Sequence, residues 1–381
     1  MSLFSRHAHT HRVILHIGSG TVRGASLKEI AGSPTEITSI YRSDVPIRER
    51  VQARTLENHI FEATERVLKQ IHATTQQKID RVDVVFGSPW FSARTKTITI
   101  EKTEPFTVTH SLIRDIGEKE SARIKKDIPG HELVLEEKIT RMRLNGYEST
   151  NPFSQKVHSL ELVLFVSFVT KEFVEKARTV VDHALSPRHI LFHSFPSVAH
   201  ATMSRLWNND PQFAYIDVGS EVTEVIFSEH GALTETFSFP LGTNHLIRAI
   251  AKKRGISYDM AGSLLTLYSN GTGEQSAMSD IEKILTPLHE EWCAYIEQVI
   301  HESGNAHEIV QKMYLSADES SAGFWSTALE DHTHRAVVLT ADAFSSFIKI
   351  DSHFVPDPIV LLEALFIDTS NTFPHLQSLR G

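Results

Sequence analysis

The pattern of apolar and polar positions divides the chain into short strands and amphipathic helices. Apolar runs rich in β-branched residues predict strands at 13–17, 22–27 and 82–86. Apolar residues spaced by about 3.6 positions predict a helix over 53–72. Further helices are predicted at 109–126, 171–184, 198–207, 261–268 and 281–303. Because strands and helices alternate along the chain, the pattern indicates the α/β class.

Two strand–turn–strand units, about 200 residues apart, are similar to each other. In the first unit the strands 13–17 and 22–27 flank a turn whose residues are Gly18, Ser19, Gly20 and Thr21. In the second, the apolar run 213–216 ends at Asp217 and turns through Val218, Gly219 and Ser220 before the strand 222–227. Such duplication predicts two similar halves that face each other across a cleft.

The second unit has the residue types of a phosphate site. An acidic residue at the end of a buried strand, before a turn of small residues, lets a carboxylate and backbone N–H groups meet a metal and a phosphate together. A further strand ends near Leu241, and a helix is predicted after Gly242 with Thr243 or Asn244 as its N-cap. A surface hairpin whose turn needs glycine for conformational reasons explains the same residues, so both alternatives stay open.

Residues 96–169 form a separate segment in the pattern. Alternating residues at 96–101 precede the amphipathic helix 109–126, and strands are predicted at 131–142 and 157–169. A segment with its own sheet and helix predicts a compact α+β subdomain, and its exposed face is a predicted partner surface.

Composition and charge exclude several classes of protein. The 381 residues, 41% of them hydrophobic, suffice for about two domains with cores. The net charge of −9 and the lack of a long lysine or arginine block argue against nucleic-acid binding. One cysteine, Cys293, excludes an intrachain disulfide and favours a reducing compartment. The longest apolar run, 160–169, is about half a membrane span, so we expect a cytoplasmic protein.

The order of these motifs resembles that of the actin-like ATPase superfamily, most closely the FtsA branch and next the pilus protein PilM. The stretch HIGSGTVRGASL is similar to the family's first phosphate motif, and IDVGSEVTEVIFSEHGAL is similar to its second. The stretch LNGYESTNPFSQKVHSLEL resembles the signature of the inserted FtsA subdomain. The resemblance covers about residues 12–330.

The resemblance implies an actin-like two-lobed fold, built from duplicated ribonuclease-H-like domains, with an inserted subdomain and a reduced second lobe. The implied parts are 12–95 and 170–210 for the first lobe, 96–169 for the inserted subdomain, 211–255 for the core of the second lobe, 256–304 for its reduced helical part, and 305–381 for further second-lobe core and the C-terminal tail. It also implies ATP and magnesium as cofactors, with Asp217 as the metal ligand. The implied nucleotide-binding residues are Gly18, Ser19, Gly20, Thr21, Asp217, Gly219, Ser220, Thr223, Gly242 and Ser316.

Several residues depart from the family pattern in ways that weaken phosphate binding. His16 stands where the family has an acid, and an imidazole cannot replace the carboxylate that holds hydrated magnesium. Ser220 and Glu221 replace turn glycines, and Glu221 adds a negative charge. Ala317 and Asp318 replace the paired glycines of the adenosine motif. Phosphoryl transfer depends on positioning and electrostatics, so these changes predict a degenerate pocket with weak or no ATP hydrolysis.

We therefore expect a non-catalytic FtsA-like scaffold or adaptor for cell division or envelope assembly. The alternatives are an ATP-binding, polymerising switch and a PilM-like adaptor of a type IV pilus or secretion apparatus. The expected partners are division or pilus proteins, with self-association through the inserted subdomain. Residues 371–381 contain too few apolar side chains for a membrane-lying helix, so recruitment to the inner face of the membrane would need a partner.

Overall fold

A computed structural model of the chain describes residues 10–29, 33–75, 77–128, 130, 133–149, 151–207, 212–303, 313–331, 336–350 and 353–366. The strands are β1 (Thr10–Ile17), β2 (Thr21–Glu29), β3 (Thr35–Asp44), β4 (Arg81–Phe86), β5 (Phe91–Thr107), β6 (Leu133–Leu144), β7 (Tyr147–Glu148), β8 (Lys156–Val169), β9 (His189–Ser194), β10 (Phe213–Val218), β11 (Thr223–Glu229), β12 (Ala232–Phe239), β13 (Met313–Ala317), β14 (Ala336–Val338) and β15 (Ile348–Ile350). The helices are α1 (Ala53–Thr74), α2 (His110–Lys126), α3 (Lys171–Leu185), α4 (Phe195–Leu206), α5 (Thr243–Arg254), α6 (Tyr258–Ser269), α7 (Gln275–Glu302), α8 (Glu319–Asp331) and α9 (Pro358–Leu365).

The two lobes repeat one sheet topology. The first sheet has the strand order β15-β3-β2-β1-β4-β9, and the second has the order β12-β11-β10-β13-β14. In each, the hairpin strands pair antiparallel, and the first hairpin strand pairs in parallel with the next strand along the sheet. The predicted duplication of the strand–turn–strand unit is therefore confirmed, together with the predicted fold class.

Strand β10 shows why the predicted strands are nearly continuous apolar runs. Ala214 and Ile216 belong to the core of the second lobe, whereas Phe213 and Tyr215 belong to the core that extends from the first lobe. Side chains alternate between the two faces of a strand, so a strand that is buried on both faces must be apolar at every position.

The helices pack against the sheets through the apolar stripes that the sequence predicted. On α1 the stripe includes Ile60, Val67 and Ile71, all fully buried. A Cβ atom on Gly24 of β2 would lie 2.5 Å from Cγ1 of Val67, so the glycine allows the helix to pack closely on the sheet. The side chain of Thr170 accepts the N–H of Phe173 and caps α3.

The inserted subdomain has its own four-stranded sheet in the order β5-β8-β6-β7. Its core contains Ile113 of α2 together with Met142, Leu162 and Leu164 of the sheet. The long strand β5 pairs with β8 from Phe91 onward, so this sheet begins before the predicted boundary at 95–96.

The described part of the second lobe contains two helices between α5 and β13. Residues 258–302 form α6 and α7, which pack on the core of the second sheet. The helix predicted at 281–303 begins earlier than expected, at Gln275.

The C-terminal region corrects the predicted division of the chain. Residues 305–381 were assigned to the second lobe and the tail, but β15 pairs with β3 of the first sheet, and α9 belongs to the core of the first lobe. Every residue from Ile359 to Leu365 is buried, so α9 is apolar on all sides apart from Glu363. Residues 371–381, where we predicted no membrane-lying helix, fall outside the described residues. Within the described part of the chain, none of the helices combines the length and apolarity needed to cross a membrane.

Candidate functional site

The turns of the two hairpins touch each other at the centre of the cleft. The hydroxyl oxygens of Thr21 and Ser220 lie 3.1 Å apart, and the N–H of Glu221 donates to Oγ of Ser19 at 2.9 Å. A Cβ atom on Gly20 would lie only 2.6 Å from Cβ of Ser220. The glycine is thus required by the contact between the lobes, and the two predicted phosphate turns bind one another.

The start of α5 supports the second turn. The N–H groups of Thr243 and Asn244 donate to the carbonyl oxygens of Gly219 (3.1 Å) and Ser220 (2.8 Å). Gly242 itself is the N-cap, in place of the predicted Thr243 or Asn244, because a Cβ atom there would lie 2.5 Å from the oxygen of Gly219. These N–H groups would otherwise be free to bind an anion, so the helix start has no such donors left for a phosphate.

The extra carboxylate of Glu221 is compensated by side chains of α5. Its Oε1 accepts from Nδ2 of Asn244 at 2.7 Å and from Nη2 of Arg248 at 2.5 Å. Arg248 also donates to the carbonyl oxygen of Arg48 in the first lobe. Glu221 therefore joins the lobes, a role that the sequence alone did not predict.

His16 occupies the position of the missing acid and is paired inside the protein. Its Nδ1 lies 2.6 Å from Oε1 of Glu363 on α9, and its side chain is 5% exposed. Burial favours the neutral imidazole, but the charge and the hydrogen bond of Glu363, together with the charge of Asp217, outweigh burial and raise the pKa of His16. A Cβ atom on Gly18 would lie 3.0 Å from Nε2 of His16, so the imidazole fills the space beneath the first turn.

Asp217, the predicted metal ligand, is engaged within the second lobe. Its Oδ1 accepts the hydroxyl of Ser316 at 2.5 Å, and the same hydroxyl lies 2.6 Å from the oxygen of Tyr215. Burial raises the pKa of Asp217 to about 6, although the hydrogen bond from Ser316 opposes the rise. In the closed arrangement, Oδ1 of Asp217 is therefore occupied by a hydroxyl group of its own lobe.

Thr223 faces away from the cleft. Its hydroxyl donates to the carbonyl oxygen of Leu241 at 2.6 Å and accepts from Nε1 of Trp292 at 3.1 Å. Both partners lie in the core of the second lobe, so the side chain that was predicted to bind nucleotide has a packing role there.

Asp318 bridges the mouth of the cleft to two arginines of the first lobe. Its Oδ1 lies 2.6 Å from Nη2 of Arg23 and 2.7 Å from Nη1 of Arg42. Ala317, the other predicted departure, lines the same cleft. The carboxylate that was predicted to crowd a nucleotide is thus part of a bridge between the lobes.

Glu224 makes another bridge on the opposite side of the cleft. Its carboxylate accepts the N–H and the hydroxyl of Ser88, which follows β4 in the first lobe, at 3.2 and 3.0 Å. Burial and the charge of Asp217 raise the pKa of Glu224 to about 7.

A nucleotide with magnesium does not fit this arrangement. The space left between the residues of the cleft is about 20 Å³, enough for about one water molecule, whereas ligand pockets measure about 300–1,000 Å³. Among the described residues, no group of three or more His, Cys, Asp or Glu side chains is placed to hold a metal ion. A nucleotide would need the lobes to separate first.

The sequence contained a signal for some of the residues that we did not predict. Arg23 is a charged residue within the apolar strand 22–27, and Glu363 is the one charged residue in the apolar stretch PIVLLEAL. A charged side chain in a buried element needs a partner. Sequence alone does not identify that partner, because Glu363 is 347 positions away from His16.

Comparison with solved structures finds this fold in other proteins. A chain of the PilM–PilN type IV pilus biogenesis complex is 14% identical, with 93% of this chain and 97% of that chain covered and a TM-score of 0.64. EutJ, an ethanolamine utilization protein from Carboxydothermus hydrogenoformans, is 12% identical, with 94% and 90% covered and a TM-score of 0.45. A Bacteroides thetaiotaomicron protein with an actin-like ATPase fold is 11% identical, with 96% and 98% covered and a TM-score of 0.43.

No protein-family model matches the sequence, and no curated protein matches it either. At 14% identity, the similarity to the chain of the PilM–PilN complex concerns the fold alone. The chain therefore shares the fold of that chain of the PilM–PilN complex.

Proposed function

We propose that this protein is an actin-fold adaptor that binds protein partners through its outer surfaces and does not hydrolyse ATP. The observation that carries the proposal is the cleft, which is filled by the chain's own side chains. His16, which is paired with Glu363, lines the cleft, and the two turns touch each other at its centre. Because phosphoryl transfer requires phosphates, a metal and a nucleophile to be positioned together, a filled cleft favours a structural role.

The fold supports an assembly of the pilus type as the first candidate. The chain of the PilM–PilN complex has the same architecture over 93% of this protein. In that setting a membrane-bound partner would recruit the protein to the inner face of the membrane. A division scaffold of the FtsA type is the second candidate, which the stretch LNGYESTNPFSQKVHSLEL of the inserted subdomain favours.

A binding experiment with and without nucleotide tests the proposal. The full chain would be titrated with purified cytoplasmic segments of pilus-assembly membrane proteins and, in parallel, with the tail of the tubulin-like division protein. We expect one class to bind, with an affinity that millimolar Mg-ATP leaves unchanged. An ATP-dependent switch would instead alter the affinity by about 5–150-fold. Such a change, or the failure of both classes to bind, would contradict the adaptor.

A further inference from the structure

Three basic side chains form a row across the first sheet. His16 on β1 is the cross-strand partner of Arg23 on β2, and Arg23 is in turn the partner of Arg42 on β3. Directly opposite residues on neighbouring strands project from the same face of a sheet. All three therefore point toward the cleft, where each contacts an acidic side chain from a distant part of the chain.

Asp318 is the member of this acidic set that comes from the second lobe. Nη2 of Arg23 donates to its Oδ1 at 2.6 Å, while Arg42 donates to Oδ1 at 2.7 Å and to Oδ2 at 3.0 Å. Burial opposes ionisation, but the two arginines lower the pKa of Asp318 to about 2. Both carboxylate oxygens thus bind the first lobe, and the charge persists at neutral pH.

Neighbouring groups hold the two arginines in place. Nε of Arg23 donates to Oδ2 of Asp357 at 2.7 Å, and the other oxygen of Asp357 accepts the N–H groups that open α9. Nε of Arg42 donates to Asp44 at 2.9 Å. A guanidinium that is fixed before it binds loses less freedom in forming a bidentate pair.

We propose that Arg23, Arg42 and Asp318 form an ion-pair clamp that keeps the two lobes closed, so that closure depends on the chain's own charges and not on a nucleotide. The turns at the centre of the cleft contribute neutral hydrogen bonds, and charge-assisted bonds are about twice as strong. The clamp does not depend on the identity of the protein partner.

Hydrogen exchange at one amide reports the state of the clamp. The N–H of Glu221 donates across the cleft to Ser19, so it exchanges when the lobes separate. In the wild type we expect slow exchange of the peptide that contains Glu221, with the same rate in Mg-ATP. Asp318→Asn should accelerate this exchange about tenfold or more, since tenfold corresponds to about 1.4 kcal/mol. Should Asp318→Asn fail to fold, Arg42→Gln serves, because that side chain is 39% exposed.

Asp280→Asn is the matched control, because Asp280 pairs with Arg254 at 3.6 Å within the second lobe. It should leave the exchange at Glu221 unchanged. The clamp is wrong if Asp318→Asn and Arg42→Gln both exchange at the wild-type rate. It is equally wrong if Mg-ATP slows exchange in the wild type several-fold, because closure would then depend on the nucleotide.

Discussion

His193 lies between two buried carboxylates at the junction of the first lobe and the inserted subdomain. Its Nε2 is 3.1 Å from Oδ1 of Asp83, and its Nδ1 is 3.5 Å from Oε1 of Glu136 on β6. Burial would lower the pKa of His193, but the two acids outweigh burial and raise it. Arg12 and Lys138 contact the same acids, at 2.5 and 2.8 Å. The imidazole thus helps to join the subdomain to the lobe.

This contact predicts a pH-dependent stability. A group whose pKa is higher in the folded state stabilises the fold at pH values below its unfolded-state pKa, which is about 6.5 for histidine. This stabilisation is lost as the pH rises through the folded-state pKa. The difference in the free energy of unfolding between the wild type and His193→Gln should therefore be largest near about pH 6 and smaller near about pH 9. Urea denaturation of both proteins across this range measures it. A difference that does not vary with pH would show that His193 is neutral in the fold.

At the scale of elements, the two hairpins and α9 build the cleft together. The hairpins supply the turns that touch, and α9 supplies Asp357 and Glu363 to the first sheet. Helix α5 holds the second turn by its first N–H groups. At the predicted phosphate site, the elements of the cleft therefore contact one another.

Gly20→Ala tests the contact between the turns. The added methyl would lie 2.6 Å from Cβ of Ser220, so we expect a loss of about 1–3 kcal/mol in the free energy of unfolding. Ser220→Gly in the same chain removes the clash and should restore most of this loss. Gly262→Ala on α6 is the control, because its nearest neighbour would be 3.8 Å away. If Gly20→Ala lowers the free energy of unfolding by the same amount with and without Ser220→Gly, the two turns are not in close contact.

The sequence predicted those elements whose patterns are local. Apolar runs that end at small residues identified both hairpins, and apolar stripes and cap signals identified α1 to α7. The short strand β15 and the helix α9 were not predicted, because their positions depend on contacts with strands more than 300 residues earlier in the chain. Strand β15 pairs with β3, and Asp357 at the start of α9 binds Arg23 of β2. The motif residues of the cleft were found, whereas the partners that neutralise them were not, since a partner's identity depends on the folded chain.

At the scale of the whole molecule, the three units contact one another. Trp207 and Tyr314 join the lobes through rings whose centroids are 4.3 Å apart. The inserted subdomain contacts the second lobe through Arg141, which donates to the carbonyl oxygen of Glu229 at 3.3 Å, and the first lobe through Glu136 and Ser194 at 2.9 Å. Contacts at all three junctions favour a single arrangement that presents fixed surfaces to a partner.

The central claim is that the cleft is closed by the protein's own side chains and does not take a nucleotide. Isothermal titration calorimetry of the full chain with Mg-ATP tests it most directly, since a bound nucleotide releases or absorbs heat in proportion to occupancy. We predict no saturable heat up to millimolar ATP. Saturable binding in the micromolar range, accompanied by hydrolysis at an ordinary enzymatic rate, would contradict the account.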